Sequence, residues 1–155
     1  MSPGRRMLAA GFALVLATQA GAVETDPGEA VASDPDVAAA KAAHDRSDWN
    51  EAVARLQRAE KRFPDNADLQ NSLGYAYRNL KQFDAAFLHY ERALKLEPRH
   101  RGAHEYIGEA YLMVNDVASA EKHVTALQQI CLLGCEELTD LQHAVADYKR
   151  KAAAR

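Results

Sequence analysis

The sequence predicts an all-α chain built from stacked helix pairs, on three observations. Its 155 residues include 31 Ala against 8 Gly, 5 Pro and 4 Phe, a composition that favours closely packed helices over sheet. A period of 34 residues runs in phase three times, through 33–66, 67–100 and 101–134, with no gap. Within each block the apolar positions recur at the three- and four-residue steps of a helical face. Composition also bounds function. With 48% hydrophobic and 26% charged residues, the chain reads as one soluble globular domain, not a disordered or multi-span membrane protein. A formal net charge of -3 argues against nucleic-acid binding by phosphate neutralisation.

The first element is read as an address. Arg5 and Arg6 precede an uncharged, mostly apolar run over 7–17, and Ala20-Gly21-Ala22 follows. This is the pattern of a Sec-type signal peptide over 1–22, cleaved after Ala22. Eleven apolar residues are too few for a bilayer core, which takes about 20. The expectation is therefore a bacterial protein, periplasmic or secreted, with no membrane span after cleavage. Removing 1–22 leaves 17 basic against 22 acidic side chains, a formal charge of -5. Residues 23–32 are acidic around Asp26-Pro27-Gly28, a turn composition read as a flexible linker.

Each 34-residue block then reads as two antiparallel helices. Position 7 holds Ala39, Leu73 and Ile107, position 8 Ala40, Gly74 and Gly108, and position 11 Ala43, Tyr77 and Tyr111. The second helix carries Trp49, Phe83 and Val117 at position 17, then Ala52, Ala86 and Ala120 at position 20. Leu56, Tyr90 and Val124 follow at position 24, and Ala59, Ala93 and Leu127 at position 27. The small residues at 8 and 20 let two helix backbones approach, while larger neighbours fill the space around them. Pro64 and Pro98, both at position 32, separate one pair from the next. Asp34 before Pro35 is a helix-start signal.

With these residues in these places, the sequence resembles the tetratricopeptide repeat (TPR) family across 102 of its 155 residues. The second block carries the fullest match: Leu73, Gly74, Tyr77, Phe83, Ala86, Tyr90, Ala93 and Pro98. The third has Leu132 in place of proline, and the first has Ala39, Ala40 and Ala43 in place of larger residues. The resemblance implies a right-handed superhelix of three helix pairs with a concave groove lined by the first helix of each pair. It also implies protein or peptide binding. Members that hold the acidic tails of heat-shock chaperones use a basic and amide clamp, whose positions here are Val37, Lys41, Ser72, Gly102 and Tyr106. Only one of the five is basic, which argues against that partner.

A repeat array needs its last apolar face covered. Leu138, Leu141, Val145 and Tyr148 recur at helical steps, so 135–150 is predicted to be a capping helix on the second helix of the third block, with 151–155 a tail. Cys131 and Cys135 flank the preceding junction. In an exported chain such a pair is expected to form a disulfide, with Gly134 turning the chain so that the two can meet. Free buried thiols and redox or metal chemistry are the other readings of the pair. Six His, at 44, 89, 100, 104, 123 and 143, form no persuasive metal spacing, and His89 and His123 are expected to face solvent or a neighbouring turn. There is no nucleophile elbow, phosphate loop or dinucleotide fingerprint. No cofactor and no enzymatic activity are expected.

Function should then lie in the groove. By the helical register, the groove-facing side chains are Lys41 and His44 in the first block, Asn71, Tyr75, Arg78 and Asn79 in the second, and Glu105, Glu109, Leu112 and Met113 in the third. Aromatic and Arg side chains are common interface anchors, so Tyr75 and Arg78 stand out. The predicted function is an exported adaptor or scaffold that binds a protein or peptide along this face. Two alternatives are structural self-assembly through the repeat ends and a redox or metal accessory role for Cys131 and Cys135.

Overall fold

The computed structural model describes residues 27–154, which form eight α-helices and no strand. The expected signal peptide, residues 1–22, lies outside the described residues. A short helix α1 (Pro27–Ala32) comes first, where a flexible linker was expected. Three antiparallel pairs follow: α2 (Pro35–Asp45) with α3 (Trp49–Glu60), α4 (Ala67–Asn79) with α5 (Phe83–Leu96), and α6 (Arg101–Met113) with α7 (Val117–Ile130). Helix α8 (Glu136–Ala153) closes the array and runs three residues past the expected end at 150. The pairs stack as a right-handed superhelix.

The period is written into the turns as well as the core. Ser47, Lys81 and Asn115 all occupy position 15, and all have a left-handed backbone, with φ of 57, 59 and 64°. That conformation costs an L-residue about 1–2 kcal/mol, yet it reverses the chain between the helices of each pair in the same way. Asp48 and Asp116 then cap α3 and α7, their Oδ1 atoms accepting from the Glu51 and Ser119 N–H groups at 3.2 and 3.0 Å. Asp34 caps α2 through the Asp36 and Val37 N–H groups. Arg62 grips the same carboxylate at 2.7 and 2.8 Å and holds its pKa below the ordinary value.

Helix pairs are also laced by a polar bridge between positions 4 and 23. In the first pair it is ionic, Arg55 Nη1 donating to Asp36 Oδ1 at 3.4 Å. In the second, His89 Nδ1–H donates to Gln70 Oε1 at 2.7 Å, and Gln70 Nε2 donates to the Pro64 carbonyl at 3.2 Å. In the third, His104 Nε2–H donates to the Pro98 carbonyl at 3.1 Å, which leaves its Nδ1 to accept from His123 Nδ1–H at 2.9 Å. The expectation that His89 and His123 face solvent is thus corrected. Each belongs to an interhelical bridge and stacks on the position-11 tyrosine of its own pair, Tyr77 or Tyr111.

These bridges make stability sensitive to acid. Burial lowers the pKa of His89 and His104, and burial with the facing His104 lowers His123 from 6.5 to about 4. The unfolded chain therefore binds more protons between about pH 6.5 and 4, so this stabilisation is complete above 6.5 and lost as pH falls toward 4. Thermal melts at pH 7 and pH 5 should show a lower midpoint at pH 5. His123→Gln, which keeps a neutral bridge, should lessen the difference. Comparison with this variant isolates the pair from Glu105, whose raised pKa acts in the opposite sense.

Close packing follows the glycines. A Cβ built on Gly74 would lie 2.6 Å from the Tyr90 ring, and one on Gly108 would lie 2.7 Å from the Leu141 methyls. Helix α8 therefore seats Leu141 in a slot on α6, as well as meeting α7, which corrects the expectation that it packs on α7. The reason is the period itself: Leu141 stands at position 7 of a fourth block begun at Cys135, so α8 takes the place of a next first helix. Ahead of it, α7 ends at Ile130, and Gly134 adopts a left-handed φ of 86°. Cys131 and Cys135 come within disulfide distance, with Cα atoms 5.7 Å apart. A five-residue ring constrains the unfolded chain by only about 2 kcal/mol. Leu132 and Leu133 are fully exposed at its tip.

Candidate functional site

The first helices α2, α4 and α6 present an aromatic-lined hollow. Its cavity of about 440 Å³ is walled by Val37, Ala40 and Lys41 of α2, Trp49 and Leu56 of α3, Ser72 and Tyr75 of α4, and Tyr106 of α6. The space exists because the first block departs from the repeat pattern. Ala39 and Ala43 stand where Leu73 and Ile107, and Tyr77 and Tyr111, fill the other pairs, so the Trp49 and Leu56 side chains are left lining a concavity. Along it the rings form a ladder. His44 lies 5.2 Å from Trp49 and 5.3 Å from Tyr75, and Tyr75 lies 5.0 Å from Tyr106, centroid to centroid. The Asn71 Oδ1 atom at the cavity wall is buried and has no hydrogen-bond partner.

Arg78 supports the ladder from within. Its guanidinium carbon lies 4.9 Å from the Tyr75 ring centre and 5.4 Å from that of Tyr106, and it pairs with Glu109. The side chain is buried, so it braces the second and third pairs and is not an open cationic anchor as expected. A second, shallower hollow lies beyond it, lined by Arg78, Asn79, Glu109, Leu112, Met113 and Ala144 of α8. Asn79 is tied to its own helix, its Nδ2 donating to the Tyr75 carbonyl at 2.8 Å. Leu112 is mostly buried in the core shared by α6, α7 and α8, and its remaining surface borders this second hollow. Met113 remains half exposed.

Nine of the ten expected binding residues divide between the two hollows. Lys41, His44, Asn71 and Tyr75 line the first hollow, whereas Arg78, Asn79, Glu109, Leu112 and Met113 border the second. Glu105 lies near the acidic wall of α6 and α8. Burial, then the charges of Glu109, Asp140 and Glu137, push its carboxyl up to about 7. Trp49, Leu56 and Tyr106 were missed as pocket residues. Trp49 and Leu56 occupy core positions 17 and 24, and only the run of small Ala opposite them signals that the core there is incomplete. Cys131 and Cys135 lie away from both hollows, and among the described residues no group of three or more His, Cys, Asp or Glu is placed to hold a metal.

Comparison with known proteins agrees with this geometry. The tetratricopeptide repeat family model matches residues 67–100. The structure is similar to the TPR2B domain of yeast Sti1, solved as a complex with an Hsp70 peptide, at TM-score 0.69 and 19% identity over 75% of this chain and 94% of that one. It is also similar to the first TPR of Spaghetti (RPAP3), bound to the HSP90 peptide SRMEEVD. That match has TM-score 0.66 and 18% identity, over 86% of this chain and all of the other. The chain thus carries a tetratricopeptide repeat at 67–100, within a fold like that of TPR domains. Among curated proteins it is similar to Protein O-mannosyl-transferase TMTC3 of Homo sapiens and of Mus musculus, 32% identical over 82 and 83 residues. Those alignments span about half of this chain and 9% of each relative. No helix among the described residues is long and apolar enough to cross a membrane.

Proposed function

We propose that this chain is a non-enzymatic adaptor that captures an extended protein segment along the face made by α2, α4 and α6. The observation that carries the reading is the aromatic ladder with its 440 Å³ hollow, built from side chains of all three repeats. Large, rigid rings gain contact area at small entropic cost, and a concave apolar site with a few polar groups is the usual form of a recognition pocket. The two similar TPR structures hold chaperone peptides in their complexes, which supports a peptide as the type of ligand. The acidic chaperone tail itself fits poorly here, because Lys41 is the one basic side chain at the five clamp positions.

We place the adaptor outside the cytoplasm of a bacterium, on the residues of 1–22. Mass spectrometry of the exported protein should then find a chain that begins at Val23. For the groove itself, Ser72 is exposed at the rim, so Ser72→Trp should fill the hollow without disturbing the fold. Partner capture should fall at least tenfold while the melting midpoint stays within a degree or two. Full capture by a well-folded Ser72→Trp variant would place the binding face elsewhere.

A further inference from the structure

We propose that the occupant of this groove is a cationic, apolar segment: a large apolar side chain seats in the α2–α3–α4 hollow, and a neighbouring Lys or Arg is held by Glu105 and Asp140. The inference rests on the groove reading above and gives the partner its chemistry. The hollow supplies the first half. Val37, Ala40, Ala52, Leu56 and Ala76 line it with carbon, and Trp49 and Tyr75 meet edge to face beside them at 5.7 Å. At 440 Å³ it has room for a Leu or Phe side chain, and burying such a side chain there drives association.

Charge decides the second half. Arg101 pairs with Glu137 at 3.5 Å and Leu141 seats against Gly108 where α6 meets α8, and at this seam the charges of Glu109, Glu137 and Asp140 act on Glu105. Two of the four carboxylates have cations of their own, Glu109 through Arg78 and Glu137 through Arg101. Glu105 and Asp140 form no ion pair among the described residues, so the wall's acids outnumber its bases four to two. Glu105 is half-buried among like charges and so holds its proton until about pH 7; a cation placed beside it would restore the ionised form. Arg78, the cation that would otherwise draw an acidic ligand, is buried and already shared between Glu109 and two tyrosine rings. Lys41 lines the hollow at its far side. Tyr106 lines the hollow, and Glu105 lies close enough on α6 for its charge to act on the Tyr106 hydroxyl, so a few residues of extended ligand reach from one subsite to the other. The unpaired Asn71 Oδ1 in the wall of the hollow is an acceptor, suited to a ligand N–H.

A random library of 12-residue peptides displayed on phage and selected against the full chain tests this. Selected peptides should pair a Leu, Phe or Trp with a Lys or Arg within about three residues. A synthetic copy should quench or shift the emission of Trp49, the sole tryptophan. The exposed or half-exposed pair Glu105→Gln with Asp140→Asn should bind that peptide about tenfold more weakly, with a smaller dependence on salt, and Ser72→Trp should abolish the signal. Selection of acidic peptides, or of apolar ones indifferent to the double substitution, would overturn the cationic assignment and leave the groove standing. Peptides that bind Ser72→Trp as well as the parent would overturn the groove reading instead.

Discussion

Tyr90→Ala should destabilise the fold by about 3–5 kcal/mol, the usual cost of emptying a fully buried aromatic site. Tyr90 has no exposed surface, and its ring covers the bare backbone of Gly74 where α4 and α5 cross. A loss of that size is a large part of the ~5–15 kcal/mol that holds a domain together. Tyr90→Phe should behave differently. The hydroxyl is buried without a hydrogen-bond partner, and a buried group of that kind costs about 1–3 kcal/mol in lost hydration. Removing it should leave stability unchanged or raise it. Urea unfolding of the two variants separates the cases. A Tyr90→Phe protein as weak as Tyr90→Ala would mean that the hydroxyl, not the ring, is what matters there.

The second large effect concerns α8. A chain ended at Gly134 loses Leu141, which is fully buried, and Val145, which is nearly so, and uncovers the slot at Gly108. Burial of two such side chains is worth about 3–6 kcal/mol at 1.5–3 each. Leu112, Leu127 and Cys131 of the same core would meet water, as happens to any repeat array stripped of its cap. Circular dichroism should show a strongly lowered melting midpoint, and size exclusion should show aggregation. Leu141→Ala in the full chain should reproduce about 2–5 kcal/mol of the loss. An unchanged midpoint in the shortened chain would remove α8 from the fold's cooperative unit.

Much of this architecture could be read before any coordinate. A period of 34 with Gly or Ala at position 8 states where backbones approach, and Gly74 beneath Tyr90 follows from it. Helix α8 was legible as a cap but not as a fourth first helix, because it carries Gln142 at position 8, where the other first helices have Gly or Ala. The groove was less legible. Register places Arg78 and Leu112 on the first helices' open face, but register is blind to what a neighbouring helix covers. Glu109 and two tyrosine rings enclose Arg78, and α8 closes over Leu112. Conversely, Trp49 occupies a core position and still lines the hollow, because Ala39 and Ala43, small where the other pairs carry Leu, Ile or Tyr, leave the space beside it unfilled. Histidines at positions 4 and 23 meet only when both helices of a pair are placed. The spacing of 19 residues between His104 and His123 carries no signal of its own.

Site-specific photo-crosslinking tests the central claim, that the face formed by α2, α4 and α6 captures a protein segment. A benzophenone side chain at Ser72 sits at the rim of the hollow, and one at Leu88 sits on the exposed face of the outer helix α5. Illumination of cells producing each variant should yield a crosslinked partner band from position 72 and none from position 88. A band from position 88 with none from position 72 would contradict the account.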